Sequence, residues 1–108
     1  MNTEIRKDDA LKLVHKIDYE TGKIISKDVI SEGAGTVTLL ALDEGTLIAR
    51  HSVTADVLIQ VLEGKAVINI GGHAHTVETG QAMLLAPDTL HEVYAEECCK
   101  ILLTKISL

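Results

Sequence analysis

The side chains best suited to metal binding in this sequence are its five histidines, two of which form a His-x-His pair. His73 and His75 lie in GGHAHTV, and residues two apart share one face of a strand, so the pair could chelate a metal. A transition-metal site normally takes at least three protein ligands, and no third ligand is placed beside this pair in sequence. Because both residues follow a Gly-Gly turn, we expect solvated histidines there, and likewise a surface position for His15.

The two cysteines, Cys98 and Cys99, are adjacent. Adjacent side chains on a strand point to opposite faces, so a disulfide between them would need a strained local turn. No Cys-x-x-Cys spacing accompanies them, which disfavours a redox site. We expect two reduced thiols that behave as small apolar side chains.

The elements that must position these residues are short strands. From Thr21 onward, apolar segments alternate with turn signals, and VLIQVL meets KAVINI through a tight turn at Glu63-Gly64. Seven to nine such strands predict a sandwich or barrel, and no helix-length segments separate them as an α/β fold would require. Residues 8–17 are ambiguous, and we expect a helical turn there, capped by Asp8 or Asp9.

Both faces of the strand VLIQVL are largely apolar. Val57, Ile59 and Val61 share one face, and the other carries Leu58, Gln60 and Leu62. One face can line a barrel interior, whereas the other needs cover from the N-terminal segment or from a partner subunit. The pattern therefore motivates a homodimer hypothesis.

Length and charge limit the partners of the protein. A chain of 108 residues is typical of one domain, and its net charge is −6 with the lysines scattered singly. No basic stripe is present for nucleic acid or an anionic membrane. The N-terminus carries acids and no apolar run, and no segment approaches the roughly 18 apolar residues of a membrane helix. We expect a cytoplasmic protein without nucleic-acid or membrane partners.

Two longer stretches resemble the motifs of the small single-domain cupins. In the first stretch, Gly45, His51 and Gly64 have the motif's spacing and VLEG closes it. In the second, GQAMLLAPDTLHEV matches without gaps from Gly80 to His91. The resemblance covers residues 36–106 and implies an all-β double-stranded β-helix, or jelly-roll barrel. Residues 1–30 would add a short N-terminal extension and the first strands within a single domain, 1–108.

The resemblance also shows where this sequence departs from metal-dependent cupins, which take two histidines and a Glu or Gln from the first motif and one histidine from the second. Val53 and Val57 occupy the second histidine position and the acidic position, which leaves His51 and His91. Two histidines bind a transition metal weakly, and the valines make that part of the cavity apolar. Asp56 could complete the site through a local bend, although strand alternation points it away. We therefore expect a degenerate metal site.

Three functional hypotheses follow. The first is a small-molecule-binding cupin, its pocket lined by His51, Val53, Val57, Ile59, Met83 and His91. The alternative is a metal-dependent enzyme, a small dioxygenase or an isomerase/epimerase, with Fe, Mn, Ni or Zn held by His51, His91 and Asp56. The third is an interaction module that acts through its dimer surface. In the loop before His91, Asp88 replaces the glycine of the cupin motif, and an aspartate tolerates a left-handed backbone there.

Overall fold

Nine β-strands and one short 3-10 helix form the fold in the computed structural model, which describes residues 3–107. The 3-10 helix spans Leu13–His15, and the strands are β1 (Ile24–Glu32), β2 (Gly35–Leu42), β3 (Leu47–His51), β4 (Ala55–Glu63), β5 (Lys65–Ile70), β6 (His73–Glu78), β7 (Ala82–Leu85), β8 (His91–Tyr94) and β9 (Cys99–Ser107). No helix among residues 3–107 is long and apolar enough to span a membrane.

The strands form two antiparallel sheets that face each other. A five-stranded sheet has the order β1-β2-β9-β4-β7, and a four-stranded sheet has the order β3-β8-β5-β6. The tight turn predicted at Glu63-Gly64 joins β4 to β5. Gly64 has φ +77°, and a side chain there would place a Cβ 2.1 Å from the carbonyl oxygen of Cys98, so only glycine fits. The all-β prediction is confirmed.

The main core lies between the sheets and is built from alternate residues of each strand. On β4, Val57, Ile59 and Val61 are buried, as the period-two pattern predicts. Ile101 of β9 lies beside them in the same sheet, Ile68 of β5 faces them from the other sheet, and both are almost fully buried. The chain has no Phe or Trp, so aliphatic side chains supply this apolar burial.

The N-terminal segment covers part of the outer face of the five-stranded sheet. Ile17 is buried against Leu39 and Ala41 of β2, and Leu62 of β4 packs on the same cluster. The predicted helical turn is confirmed over the three residues of the 3-10 helix. The predicted cap was wrong, because the helix begins after Lys12 without a side-chain cap, and Asp8 lies in an earlier turn with φ +67°.

A buried lysine fastens this segment to the barrel. Lys100 of β9 is only 8% exposed, and its ammonium donates a hydrogen bond to the backbone carbonyl of Val14. The same ammonium lies 3.8 Å from the Glu63 carboxylate and 5.1 Å from the centre of the Tyr19 ring. The Tyr19 hydroxyl donates to Glu63, and burial together with this bond raises the pKa of Tyr19. The buried charge is therefore compensated by groups from three parts of the chain.

Both cysteines are free thiols, as the sequence predicted. Cys99 is fully buried, and burial raises its pKa to about 11. The Cys98 thiol donates a hydrogen bond to Asp43 over 3.2 Å, and this bond is the main cause of its raised pKa. Both environments disfavour the reactive thiolate.

The folded protein should therefore resist alkylation. The raised pKa leaves Cys99 with a thiolate fraction at pH 8 about a hundredfold below that of a thiol with the ordinary pKa. We expect iodoacetamide to modify the folded protein at least about 10-fold more slowly than the guanidinium-unfolded chain, as measured by mass spectrometry after timed quenching. Asp43→Asn should accelerate Cys98 and leave Cys99 slow. Equal rates for folded and unfolded chains would contradict this account.

Candidate functional site

A cavity of about 190 Å³ opens between the two sheets, at the end where β3 stops and β4 begins. Eight of its eleven lining residues are aliphatic. The lining consists of Leu40, Ile48, His51, Val53, Val57, Ile59, His91, Val93, Ile101, Leu103 and Lys105. An engineered apolar cavity of about 150 Å³ holds benzene, so this cavity has room for a small organic molecule.

The register between β4 and β9 builds one wall of the cavity. Val57 pairs with Lys105, and Ile59 pairs with Leu103. Directly paired residues lie on the same side of a sheet, and all four of these line the cavity. The wall is thus aliphatic except at Lys105, which lies near the C-terminal end of β9.

His51 and His91 form the polar part of the opposite wall. They are direct partners in the β3–β8 pair, with ring centroids 4.5 Å apart and ring planes inclined by 50°. Between the Ile48–Val93 pair and the His51–His91 pair, β3 contains one more residue than β8. Such a bulge re-aims a side chain, and here it brings His51 to the cavity.

Backbone carbonyls fix how the two imidazoles are presented. The Nδ1 atom of His51 lies 2.9 Å from the carbonyl oxygen of Ala49, and the Nδ1 atom of His91 lies 2.9 Å from that of Thr89. A carbonyl oxygen only accepts, so each Nδ1 carries the hydrogen and donates it. In the neutral ring, Nε2 then bears the lone pair.

The Nε2 atom of His91 opens to the cavity even though the residue is only 4% exposed. In the part of the chain that the structure describes, no buried side-chain nitrogen or oxygen lacks a hydrogen-bond partner. His91 makes its one hydrogen bond through Nδ1, so its Nε2 is not enclosed by protein. The ring lines the cavity, which leaves Nε2 available to a ligand there.

Two loops at the mouth are tied together. The amide of Asp88 donates a hydrogen bond of 2.8 Å to the carbonyl oxygen of Val53. Asp88 has φ +64°, which confirms the left-handed conformation expected at this position. The loop between β7 and β8 is thereby held against the loop between β3 and β4, each of which adjoins a cavity histidine.

Most of the predicted pocket residues meet in this cavity. His51, Val53, Val57, Ile59 and His91 all line it. The structure places the sixth, Met83, elsewhere: it packs against the main core and lines a separate shallow depression beside His75. Met83 pairs with Ile59 but belongs to β7, the edge strand of its sheet, so it lies at the border of the barrel.

The proposed third metal ligand does not reach the site. Asp56 is exposed and pairs with Ile106, on the face of β4 opposite to Val57. No group of three or more His, Cys, Asp or Glu side chains able to hold a metal occurs within residues 3–107. The cavity offers two histidines, which do not fit the three-ligand requirement of a transition-metal centre. His73 and His75 are exposed on β6, as expected for solvated side chains.

Six lining residues were not predicted, and Lys105 is the polar one among them. It lies outside both recognised motifs, and a lysine on a strand ordinarily indicates the solvent face. Strand alternation could have predicted its position. Residues two apart share one face of a strand, so Lys105 lies on the same face of β9 as Ile101 and Leu103, which also line the cavity. The Lys105 side chain is half-buried, and its ammonium makes no hydrogen bond or ion pair with any residue from 3 to 107.

Comparisons with known proteins agree with this architecture. A conserved protein of unknown function from Streptococcus pyogenes is 27% identical, with a TM-score of 0.91 over 96% of this chain and 91% of that chain. A cupin superfamily protein from Desulfitobacterium hafniense has a TM-score of 0.91 at 15% identity, over 96% of this chain and 95% of that chain. A cupin 2 conserved barrel domain protein from Leptotrichia buccalis is 28% identical, with a TM-score of 0.87 over 90% of this chain and 47% of that chain.

The family assignment rests on a match over most of the barrel. No curated protein matches the sequence. The model of the AraC-like ligand binding domain matches residues 33–106, which include strands β2 to β8, all but the last residue of β9, and every residue that lines the cavity. The chain therefore belongs to the AraC-like ligand binding domain family and has the double-stranded β-helix fold of a small cupin.

Proposed function

We propose that this protein binds a small, largely aliphatic molecule in the barrel cavity and that His51 and His91 orient it. The observation that carries the proposal is the composition of the cavity wall, where eight aliphatic residues surround three polar ones. Ligand sites commonly combine an apolar wall with a few placed polar groups. The wall supplies affinity by burying apolar surface, and the histidines supply orientation.

The fixed geometry of the histidines supports binding at this place. Each ring is held by a hydrogen bond from Nδ1 to a backbone carbonyl. The orientation of Nε2 is therefore already fixed before a ligand binds. The mouth loops are also tied by the Asp88–Val53 hydrogen bond. Such preorganisation lowers the entropy lost on binding.

A second copy of the chain is the partner that we propose. One row of outward-facing, uncharged residues crosses all five strands of the larger sheet, beside the part covered by the N-terminal segment. The row is Ile30, Val37, Thr104, Leu58 and Leu84, with Ile30 51% and Leu84 78% exposed. An uncharged row can meet its own copy across a two-fold axis without placing like charges together. This row continues the covered apolar face, which favours protein rather than solvent above it.

Binding of 4-methyl-1-pentanol tests the cavity proposal. We expect amide and methyl NMR shifts confined to the cavity lining, because the aliphatic tail should contact Ile59 and Leu103. Val53→Phe fills the mouth and should weaken binding at least about 10-fold, whereas Leu84→Phe, on the outer face, should not. Shifts spread over the surface, or equal affinities in the two variants, would contradict the proposal.

Elemental analysis tests the metal-dependent alternative. Because two histidines make an incomplete ligand set, protein purified without chelators or tags should hold well under one Fe, Mn, Ni or Zn per chain. Added metal should shift Tm by less than about 1 °C. The variant V53H/V57E restores the two positions that metal-dependent cupins use and is the matched positive control. One tightly held metal per wild-type chain would favour the enzyme instead.

Light scattering after size exclusion tests the homodimer. At about 50 µM, within the micromolar range of many specific complexes, we expect twice the chain mass of 11.6 kDa. Leu84→Glu places a charge in the apolar row and should produce a monomer. Leu47→Glu makes the same change on β3, in the other sheet, and should remain a dimer. A monomeric wild type at this concentration would count against the partner.

A further inference from the structure

The cavity wall contains a positive charge that has no counterion among residues 3–107. Lys105 lines the cavity between Val53 and Leu103, and every other lining residue is aliphatic or a histidine. Glu32 lines an outer depression together with Lys105 but forms no ion pair with it. A cation beside an apolar wall gains most from a partner that brings its own negative charge.

The histidines set a second requirement. With Nδ1 donating to a carbonyl, each neutral imidazole turns an accepting Nε2 toward the ligand. The ligand must therefore carry a hydrogen-bond donor. An ammonium group would donate, but Lys105 in the same cavity would repel it. A hydroxyl group donates without charge and satisfies both conditions.

The remaining surface sets a third requirement. Eight aliphatic side chains need apolar atoms against them, and a fully hydrated ion such as phosphate or sulfate would lose its water there without compensation. The volume of about 190 Å³ exceeds the roughly 150 Å³ that accommodates the six carbons of benzene. Scaled by volume, a ligand of about eight non-hydrogen atoms matches this space, and the open mouth leaves room for a polar group beyond it.

We propose that the ligand is a short-chain aliphatic hydroxy acid. Its carboxylate pairs with the Lys105 ammonium, its hydroxyl donates to Nε2 of His51 or His91, and its alkyl tail lies against Ile59, Leu103 and their aliphatic neighbours. The assignment rests on the proposed binding function and specifies the class of molecule. It gives Lys105 the role of the specificity-determining residue, because the histidines and the aliphatic wall would accept a neutral alcohol equally well.

Four probes of the same branched skeleton separate the three requirements. The first is 2-hydroxy-4-methylpentanoate, and the second is its amide, which lacks the charge. The third is 4-methylpentanoate, which lacks the hydroxyl at C2. The fourth is 4-methyl-1-pentanol, which has a hydroxyl in place of the carboxylate and none at C2. Isothermal titration of the full chain gives a dissociation constant for each probe. We expect the hydroxy acid to bind about 10- to 100-fold more tightly than the amide, as is typical of a charged hydrogen bond, and more tightly than the deoxy acid.

Variants assign the two polar contacts. Lys105→Met should remove the preference for the acid over the amide, and His51→Leu should remove the preference for the hydroxy acid over the deoxy acid. Lys7→Met changes the net charge equally at an exposed site outside the cavity and should preserve both preferences. Thermal unfolding verifies that each variant is folded. If a variant does not fold, the four probes on the wild-type protein still test whether the cavity prefers a hydroxy acid.

The outcomes separate the two proposals. Binding of 4-methyl-1-pentanol and the amide as tightly as the hydroxy acid, or binding of the hydroxy acid unaffected by Lys105→Met, would overturn the hydroxy-acid assignment and leave the cavity function standing. Binding of inorganic phosphate in place of the acids would also overturn the assignment. Failure of all four probes to bind would overturn both proposals.

Discussion

Strand β4 pairs with β9 so that Val57, Ile59 and Val61 lie beside Lys105, Leu103 and Ile101 on one face. This register determines which side chains fill the core and which surround the cavity. A slip by one residue would exchange the faces of β9, turning Thr104 inward and Lys105 outward. The dense aliphatic packing opposes such a slip, because it would place polar atoms in the core and leucines in water.

The three polar side chains of the cavity differ in how firmly the two sheets hold them. His51 and His91 lie on the four-stranded sheet, and each is held through its Nδ1 atom by the backbone carbonyl two residues before it. Lys105 lies on the five-stranded sheet and has no protein partner within the described residues. Two acceptors are therefore fixed in place, while the cation on the facing sheet is not held by any of these residues. Val53 and Val57 separate these groups with apolar surface, where a metal-dependent cupin has ligands.

Much of this arrangement could be predicted from the sequence, because motif spacing and strand alternation are local properties. They identified the barrel, the two pocket histidines His51 and His91, and the inward face of Val57 and Ile59. The placement of Met83 in the cavity could not be tested by local patterns. Its position depends on β7 being an edge strand, and strand order is a property of the whole sheet. The sequence also did not predict that both Nε2 atoms accept hydrogen bonds, because this depends on where the carbonyls of Ala49 and Thr89 lie in the folded chain. Lys105 was missed because a lysine at the end of a strand has the same local pattern whether it faces solvent or a cavity.

The position of β9 in the sheet has a consequence for how the chain assembles during synthesis. Among the nine strands described, β9 comes last in the chain, yet it lies between β2 and β4, and its Lys100 reaches back 86 residues to Val14. Before β9 emerges from the ribosome, β2 and β4 each have an unpaired edge, and the N-terminal segment lacks the lysine that fastens it. The N-terminal segment is therefore among the last parts of the barrel to reach its final place. Closure of the barrel waits for long-range contacts whose loop-closure entropy makes them slow to form.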